Sequence, residues 1–201
     1  WYNEDENDII PNPFIVTIND YPKKYGKENT TKLKYAERMA RLENVIKSER
    51  NNQKKADYYF QMATGIYQTS TYGNAWSLVS YDWSSTDNHA ASTIHWQRNY
   101  LQTRSAKEWY SKARSLSSDK EFKAKCTFML AKCEQKDFVY TDETRWKYYD
   151  SPLKNPFYRF SMQNKYFKEL NTQYKDTPFF KMASRECTYL RDYMNLTQAI
   201  K

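Results

Sequence analysis

From residue 31 onward, apolar residues return every three or four positions. Leu33, Ala36, Met39, Leu42, Val45 and Ile46 fall on one face of a helix. Thr30 or Thr31 supplies its N-cap, and Asn51-Asn52 its stop. A second amphipathic run predicts a helix over 54–68, with Ala56, Tyr59, Met62, Ala63, Ile66 and Tyr67 on the apolar side. Tyr72-Gly73-Asn74 marks a turn, and 75–81 reads as a further helical stretch. The period is lost over 82–102, which is predicted as a loop or a loop with a short helix. It returns behind a cap at Thr103 or Ser105, with Ala106, Trp109, Tyr110, Ala113 and Leu116 inward. Ser118-Asp119-Lys120-Glu121 fits a capping box. It opens a helix to about 136, with Phe122, Cys126, Met129, Leu130 and Cys133 inward. Residues 137–160 are aromatic and interrupted by Pro152 and Pro156. Two last helices are predicted over 161–174 and 178–194, the second opened by a Thr177 cap and Pro178 at its first position.

Residues 1–30 differ. Pro11, Pro13 and Pro22 exclude a helix. Phe14-Ile15-Val16-Thr17-Ile18 is rich in β-branched residues and reads as a short strand or an extended crossing segment. The chain therefore divides into an extended lead-in (1–30) from an upstream region and a helical domain (31–201). A start at Trp1, without Met, reads as a piece of a longer protein. The expected fold is all-α, a helix-pair solenoid or irregular right-handed bundle of about six to seven helices. Two aromatic-rich insertions, 69–103 and 137–160, interrupt it.

Composition narrows the function classes. The chain has 3 Gly, where about 14 are expected at the usual frequency of roughly 7%. Gly-rich phosphate loops, hairpin-dense folds and collagen are disfavoured. Mean hydropathy is -1.04, yet 17% of residues are aromatic. Tyr buries large area while scoring as polar, so this is a folded chain. The net charge of +8 sits in the second half: residues 1–100 hold 12 acids and 12 bases, and residues 101–201 hold 12 and 20. No Lys or Arg occurs between Lys55 and Arg98, a window that contains nine aromatics. Such a stretch is core, or a surface that meets something other than bulk water.

Ala106-x3-Tyr110-x2-Ala113 places small, large and small residues on one helix face. It resembles the second helix of a tetratricopeptide repeat. Met62-Ala63 with Ile66-Tyr67, and Leu130-Ala131, resemble that repeat's first helix. Tyr166-Phe167-x2-Leu170-x3-Tyr174-Lys175-Asp176-Thr177-Pro178-Phe179, followed by Ala183, looks like the inter-helix turn of repeats in bacterial envelope lipoproteins. The order of these pieces over 54–194 resembles the C-terminal region of large uncharacterised helical-repeat proteins of Gram-negative cell envelopes. The two insertions depart from the standard repeat length. The resemblance implies stacked helix pairs, a protein-interaction role, and a periplasmic or outer-membrane-associated location, with any membrane anchor outside this fragment.

No nucleotide-loop, zincin, hydrolase-elbow or EF-hand pattern is present. His89 and His95 with Asp87 make a thin metal set, and two exposed polar histidines are the favoured reading. Cys126, Cys133 and Cys187 include no CxxC pair and read as small buried residues, not as nucleophiles. Lys107, Lys112, Arg114, Lys120, Lys123, Lys125, Lys132 and Lys136 are scattered along helices, as on ordinary solvated faces, so nucleic acid is a disfavoured partner. No catalytic residue, cofactor or metal is expected.

The insertions hold the candidate binding residues: Trp76, Tyr81, Trp83, Trp96 and Tyr100 in the first, Trp146 and Tyr148 in the second. Long loops are uncommon unless functional. Insertions at the same point of a helix-pair repeat emerge on one edge. The competing reading, which is favoured, is that these rings fold back as lids over helix edges. The expected function is a non-catalytic scaffold that binds a protein partner, or the upstream domain of its own chain. The alternative is a glycan-binding protein that stacks sugars on loop Trp and Tyr rings.

Overall fold

A computed structural model of the chain describes residues 10–20, 29–80, 95–139, 141–145 and 147–199. These residues are all-α, with no strand among them. Helix α1 (Lys32–Ser48) starts at Thr31, whose side chain accepts from the Lys34 amide. Helix α2 (Asn52–Gln68) starts at Asn51, which accepts from the Lys54 amide. The first insertion ends in α3 (His95–Gln102). Then come α4 (Arg104–Leu116) and α5 (Lys120–Gln135). The second insertion carries the single turn α6 (Asp142–Arg145) and α7 (Pro156–Met162). The chain closes with α8 (Lys165–Gln173), α9 (Pro178–Glu186) and α10 (Thr188–Ala199).

Packing follows chain order. α1 lies on α2, α2 on α4, α4 on α5, α5 on α8 and α9, and α9 on α10. The contacts are made where the sequence alternates small and large. Ala63, Ala106, Ala113, Ala124, Ala131 and Ala183 are fully buried, beside Tyr67, Tyr110, Phe128, Phe167, Leu170 and Leu190. Alanine lets two helix axes approach, and the neighbouring ring fills the groove this leaves. The phenol of Tyr110 does not go unpaired: it donates to Thr64 Oγ1 at 3.0 Å.

α5 is the exception to amphipathic design. Residues 126–133 are buried without a break over two helical turns. The inward positions expected from the period are buried or half-buried, but so are Phe128, Ala131 and Lys132 on its other faces. α4, α7, α8 and α9 all pack on it, so it is the central helix.

Several expected boundaries shift, each for a local reason. The helix expected over 161–174 is broken at Gln163-Asn164. Asn164 is buried; it accepts from the Tyr166 amide and donates to the Ala131 carbonyl of α5 at 2.9 Å. The helix expected over 178–194 is broken at Cys187, which ends α9 and leads directly into α10. With these breaks and the short insertion helices, ten α-helical segments are described in place of six or seven. The 75–81 stretch is only a 3-10 turn, Trp76–Leu78. The cap of α5 is Asp119, not Ser118. Glu121 does not close a capping box; its Oε2 accepts from the Phe179 amide and so satisfies the start of α9. Neither Thr103 nor Ser105 caps α4 with its own side chain. Asn99 Oδ1 accepts from the Ser105 amide at 3.0 Å, and Thr103 turns the chain with a left-handed φ of 52°.

The Phe14–Ile18 run is not a strand. Residues 10–20 form an irregular strap across α1, α2 and α5. Phe14 stacks near Tyr35 and under the Arg38 guanidinium, while Val16 and Ile18 pack on the main core. Asp20 anchors its end. The carboxylate takes Lys132 at 2.7 Å, Lys136 at 2.6 Å and the Tyr67 hydroxyl at 2.9 Å. Burial alone would push the Asp20 carboxyl up, but Lys136 and Lys132 reverse this and hold it well below the ordinary carboxylate range. Burial pushes the Lys132 ammonium down despite Asp20, because two cations share one anion.

Gly73 closes the turn after α2. A Cβ there would lie 2.0 Å from the Gln68 carbonyl oxygen, because the chain folds back so that the Ala75 amide can donate to that same oxygen. Gly73→Ala is therefore expected to cost about 1–3 kcal/mol in urea unfolding, the range of overpacked sites.

Asp20→Asn leaves two buried ammonium groups without their counter-charge and is expected to cost about 3–5 kcal/mol. Adding Lys132→Met should recover a substantial part of the loss. The Asp20 pKa is depressed on folding, so its contribution is present above the unfolded value of about 3.9. It is lost as pH falls through the folded value. The stability gap between the wild type and Asp20→Asn should thus be constant near neutrality and close progressively in acid.

Candidate functional site

Both insertions leave the helices at the same end. Lys107, in the first turns of α4, pairs with Glu134 at the end of α5 (2.6 Å) and with Asp137 just beyond it. Lys165, at the start of α8, approaches the same Glu134 at 4.0 Å. Lys136 lies 3.9 Å over the Tyr72 ring, joining the base of the second insertion to the base of the first. Three lysines thus surround the C-terminal end of α5, the negative pole of its dipole.

The first insertion is pinned at its base. The Thr71 amide donates to the Tyr100 carbonyl at 3.1 Å. The Asn74 amide donates to Gln68 Oε1 at 3.3 Å, and the Tyr35 hydroxyl pairs with Thr69 Oγ1 at 3.3 Å. Thr69, Ser70 and Thr71 are buried, and the hydroxyl and amide groups of Thr69 and Ser70 close the end of α2. This is how polar residues can fill a charge-free stretch without becoming surface.

An open groove of about 480 Å³ lies where α1, α2, α4 and this base meet. Its walls are mainly apolar: Tyr35 and Met39 from α1, Ile66 from α2, Val79 just after the 3-10 turn, Tyr100 from α3 and Trp109 from α4. Among the described residues Glu43 is the one charged residue lining it. Val79 is 47% exposed at its rim.

The structure separates the candidate residues from one another. Tyr100 is nearly buried and faces the groove. Trp76 is half-buried in the 3-10 turn and does not line it. Tyr148 is 89% exposed and is not part of the groove. Tyr81, Trp83 and Trp146 lie outside the described residues; so do Asp87, His89 and the side chains of Trp96 and His95. Of the second insertion's rings, Phe138 packs with Phe157 and Phe160, and Phe157 with Tyr189 of α10. Tyr158 donates to Asp192 at 3.2 Å. These rings fold back as a lid over the helix edge.

In the sequence Met39, Ile66 and Trp109 are legible only as members of apolar helix faces, and Tyr35 lies outside the apolar period of its helix. The period places a residue on the packed side of its helix. It does not say where two packed sides diverge and leave a groove.

The cysteines have no reactive character. Cys126 and Cys133 are fully buried and Cys187 nearly so, and none is in a disulfide. Burial pushes the Cys133 thiol up to about 12, with the Thr103 contact only a partial offset. Burial likewise pushes Cys126 and Cys187 up, Cys126 furthest, despite the nearby Arg114. A thiolate, the nucleophilic and metal-binding form, is thereby suppressed. Among the described residues no group of three or more His, Cys, Asp or Glu is placed to hold a metal ion, and no helix is long and apolar enough to cross a membrane.

Five of the eight scattered bases in the second half are committed to carboxylates of the same chain. Lys107 pairs as above, Arg114 with Glu169, Lys120 with Asp176, and Lys132 and Lys136 with Asp20.

No protein-family model matches the sequence, and no curated protein or solved structure matches it. The site must be read from its own geometry.

The thiol assignment is directly testable. Ellman's reagent should find none of the 3 Cys reactive in the native chain within minutes, and all of them after denaturation. Rapid native labelling of Cys126 or Cys133 would contradict it.

Proposed function

We propose that this chain is a non-catalytic helical interaction module of the tetratricopeptide-like type, which holds a protein segment in the apolar groove between α1, α2 and α4. The observation that carries this reading is the groove itself. It is open and largely uncharged, and its walls come from four helices and the pinned base of the first insertion. Such a groove offers an entering apolar side chain a preformed site, so little ordering free energy is spent on binding. Supporting it are the small-large alternation on successive helices and the packing of those helices in chain order. A cell-envelope setting remains part of the proposal, drawn from the same resemblance.

Groove binding makes a specific demand on Val79. It is exposed, so Val79→Glu should leave the near-UV circular dichroism and melting temperature close to wild type. A partner purified with the wild-type chain should bind this variant at least about tenfold more weakly, or 1.4 kcal/mol. Binding that survives Val79→Glu, but is lost in Trp83→Ala or Trp96→Ala with a glycan as ligand, would establish the sugar-stacking alternative in its place.

A further inference from the structure

The strap of residues 10–20 is held in an unusual way for a piece of core. Its side chains contribute Phe14, Val16 and Ile18, but its main chain is also gripped by side chains from the helices. Gln68 of α2 donates its amide to the Ile15 carbonyl at 2.9 Å and to Thr17 Oγ1 at 3.1 Å. Lys132 of α5 donates to the Thr17 carbonyl at 3.0 Å. Gln68 is 1% exposed and Lys132 is 4% exposed. Two buried polar side chains on different helices therefore spend their hydrogen bonds on alternate main-chain carbonyls of one irregular segment. An ordinary helix–loop contact needs neither, since apolar residues at 68 and 132 would pack there without a desolvation cost.

The charges are also unequal. Lys132 and Lys136 both point at one carboxylate, and the Tyr67 hydroxyl adds a third donor to it. The surplus positive charge rests over aromatic faces, Lys132 at 5.0 Å from the Tyr67 ring and Lys136 at 3.9 Å from the Tyr72 ring. Ile15 and Asn19 are exposed, whereas Val16, Ile18 and Asp20 face the helices. The recognised pattern is thus apolar, apolar, carboxylate at alternate positions, read together with two main-chain carbonyls.

We infer that the trough between α2 and α5 is a peptide-acceptor site, occupied in this structure by the chain's own residues 14–20. Its partner is an extended segment of another protein with two apolar residues and a carboxylate at alternate positions. The strap is then an intrachain competitor that such a partner must displace. This site is separate from the groove beside Val79, and either can fail without the other.

The test uses the full 201-residue chain and a fluorescent peptide of residues 10–20. In Asp20→Ala the strap loses its anchor while Lys132, Lys136 and Gln68 remain. Fluorescence anisotropy should show the peptide binding this variant at least tenfold more tightly than wild type. A peptide carrying Asp20→Asn should lose that gain, as should the protein variant Asp20→Ala/Lys136→Ala. Equal affinity for wild type and Asp20→Ala, or no binding by a variant with native near-UV circular dichroism, overturns the inference. Should Asp20→Ala fail to fold, amide exchange of the wild type decides. Protection of the Gln68 side-chain amide, which donates to the strap, well below that of the α5 main chain supports a displaceable strap, and exchange of both in a single opening event overturns it.

Discussion

A charged lysine inside a helical stretch with no solvent face, residues 126–133 of α5, is the constraint on which the rest of this structure depends. Lys132 lies within the buried stretch of α5, and its ammonium must find a counter-charge or lose its proton. Asp20, more than a hundred residues earlier, supplies that charge. The pairing decides the path of the strap, draws Lys136 and Tyr67 into the same cluster, and leads Tyr72 at the base of the first insertion to stack under Lys136. Burying such a pair is not a strong source of net stability. What it does is make one arrangement of strap, α2 and α5 far better than its neighbours.

Around that cluster the helices use a different rule. Fully buried alanines let the axes approach, and Tyr or Phe fills the adjoining volume. Tyrosine suits this role in a chain of low mean hydropathy, because its ring is buried while its hydroxyl bonds a threonine or a carboxylate. Tyr110 with Thr64 and Tyr67 with Asp20 show this directly. Where the packed faces of α1, α2 and α4 diverge, the same residue types become groove walls. Core and candidate site are therefore continuous in composition and differ only in geometry.

The insertions divide along similar lines. The first is tied at its base by main-chain and threonine hydrogen bonds, and it contributes Tyr100 and Val79 to the groove. The described rings of the second are largely spent on covering α10. Tyr148 is the exception that remains in solvent. Two aromatic-rich insertions of similar composition thus pack differently: the described part of one borders a gap between helices, and the described part of the other covers a helix edge.

The sequence by itself determined the all-α class, the four longest helices, the cap at Thr177, and a first cap at Thr30 or Thr31, of which Thr31 is the one used. It also determined the small-large faces and the inert character of the three thiols. These are local or periodic properties, set by side-chain geometry within a turn or two of the chain. It could not show that residues 126–133 of α5 are buried on every side, that α7 and α8 break at Asn164, or that Asn99 caps α4. Nor could it show that Asp20 meets Lys132. Each of those depends on a group far along the chain arriving at the right place, and an apolar period looks the same whether its face closes on a neighbour or opens into a groove. Only the tertiary structure decided which polar residues would be buried, because burial of a charge is tolerable only where a distant partner has already been brought to meet it.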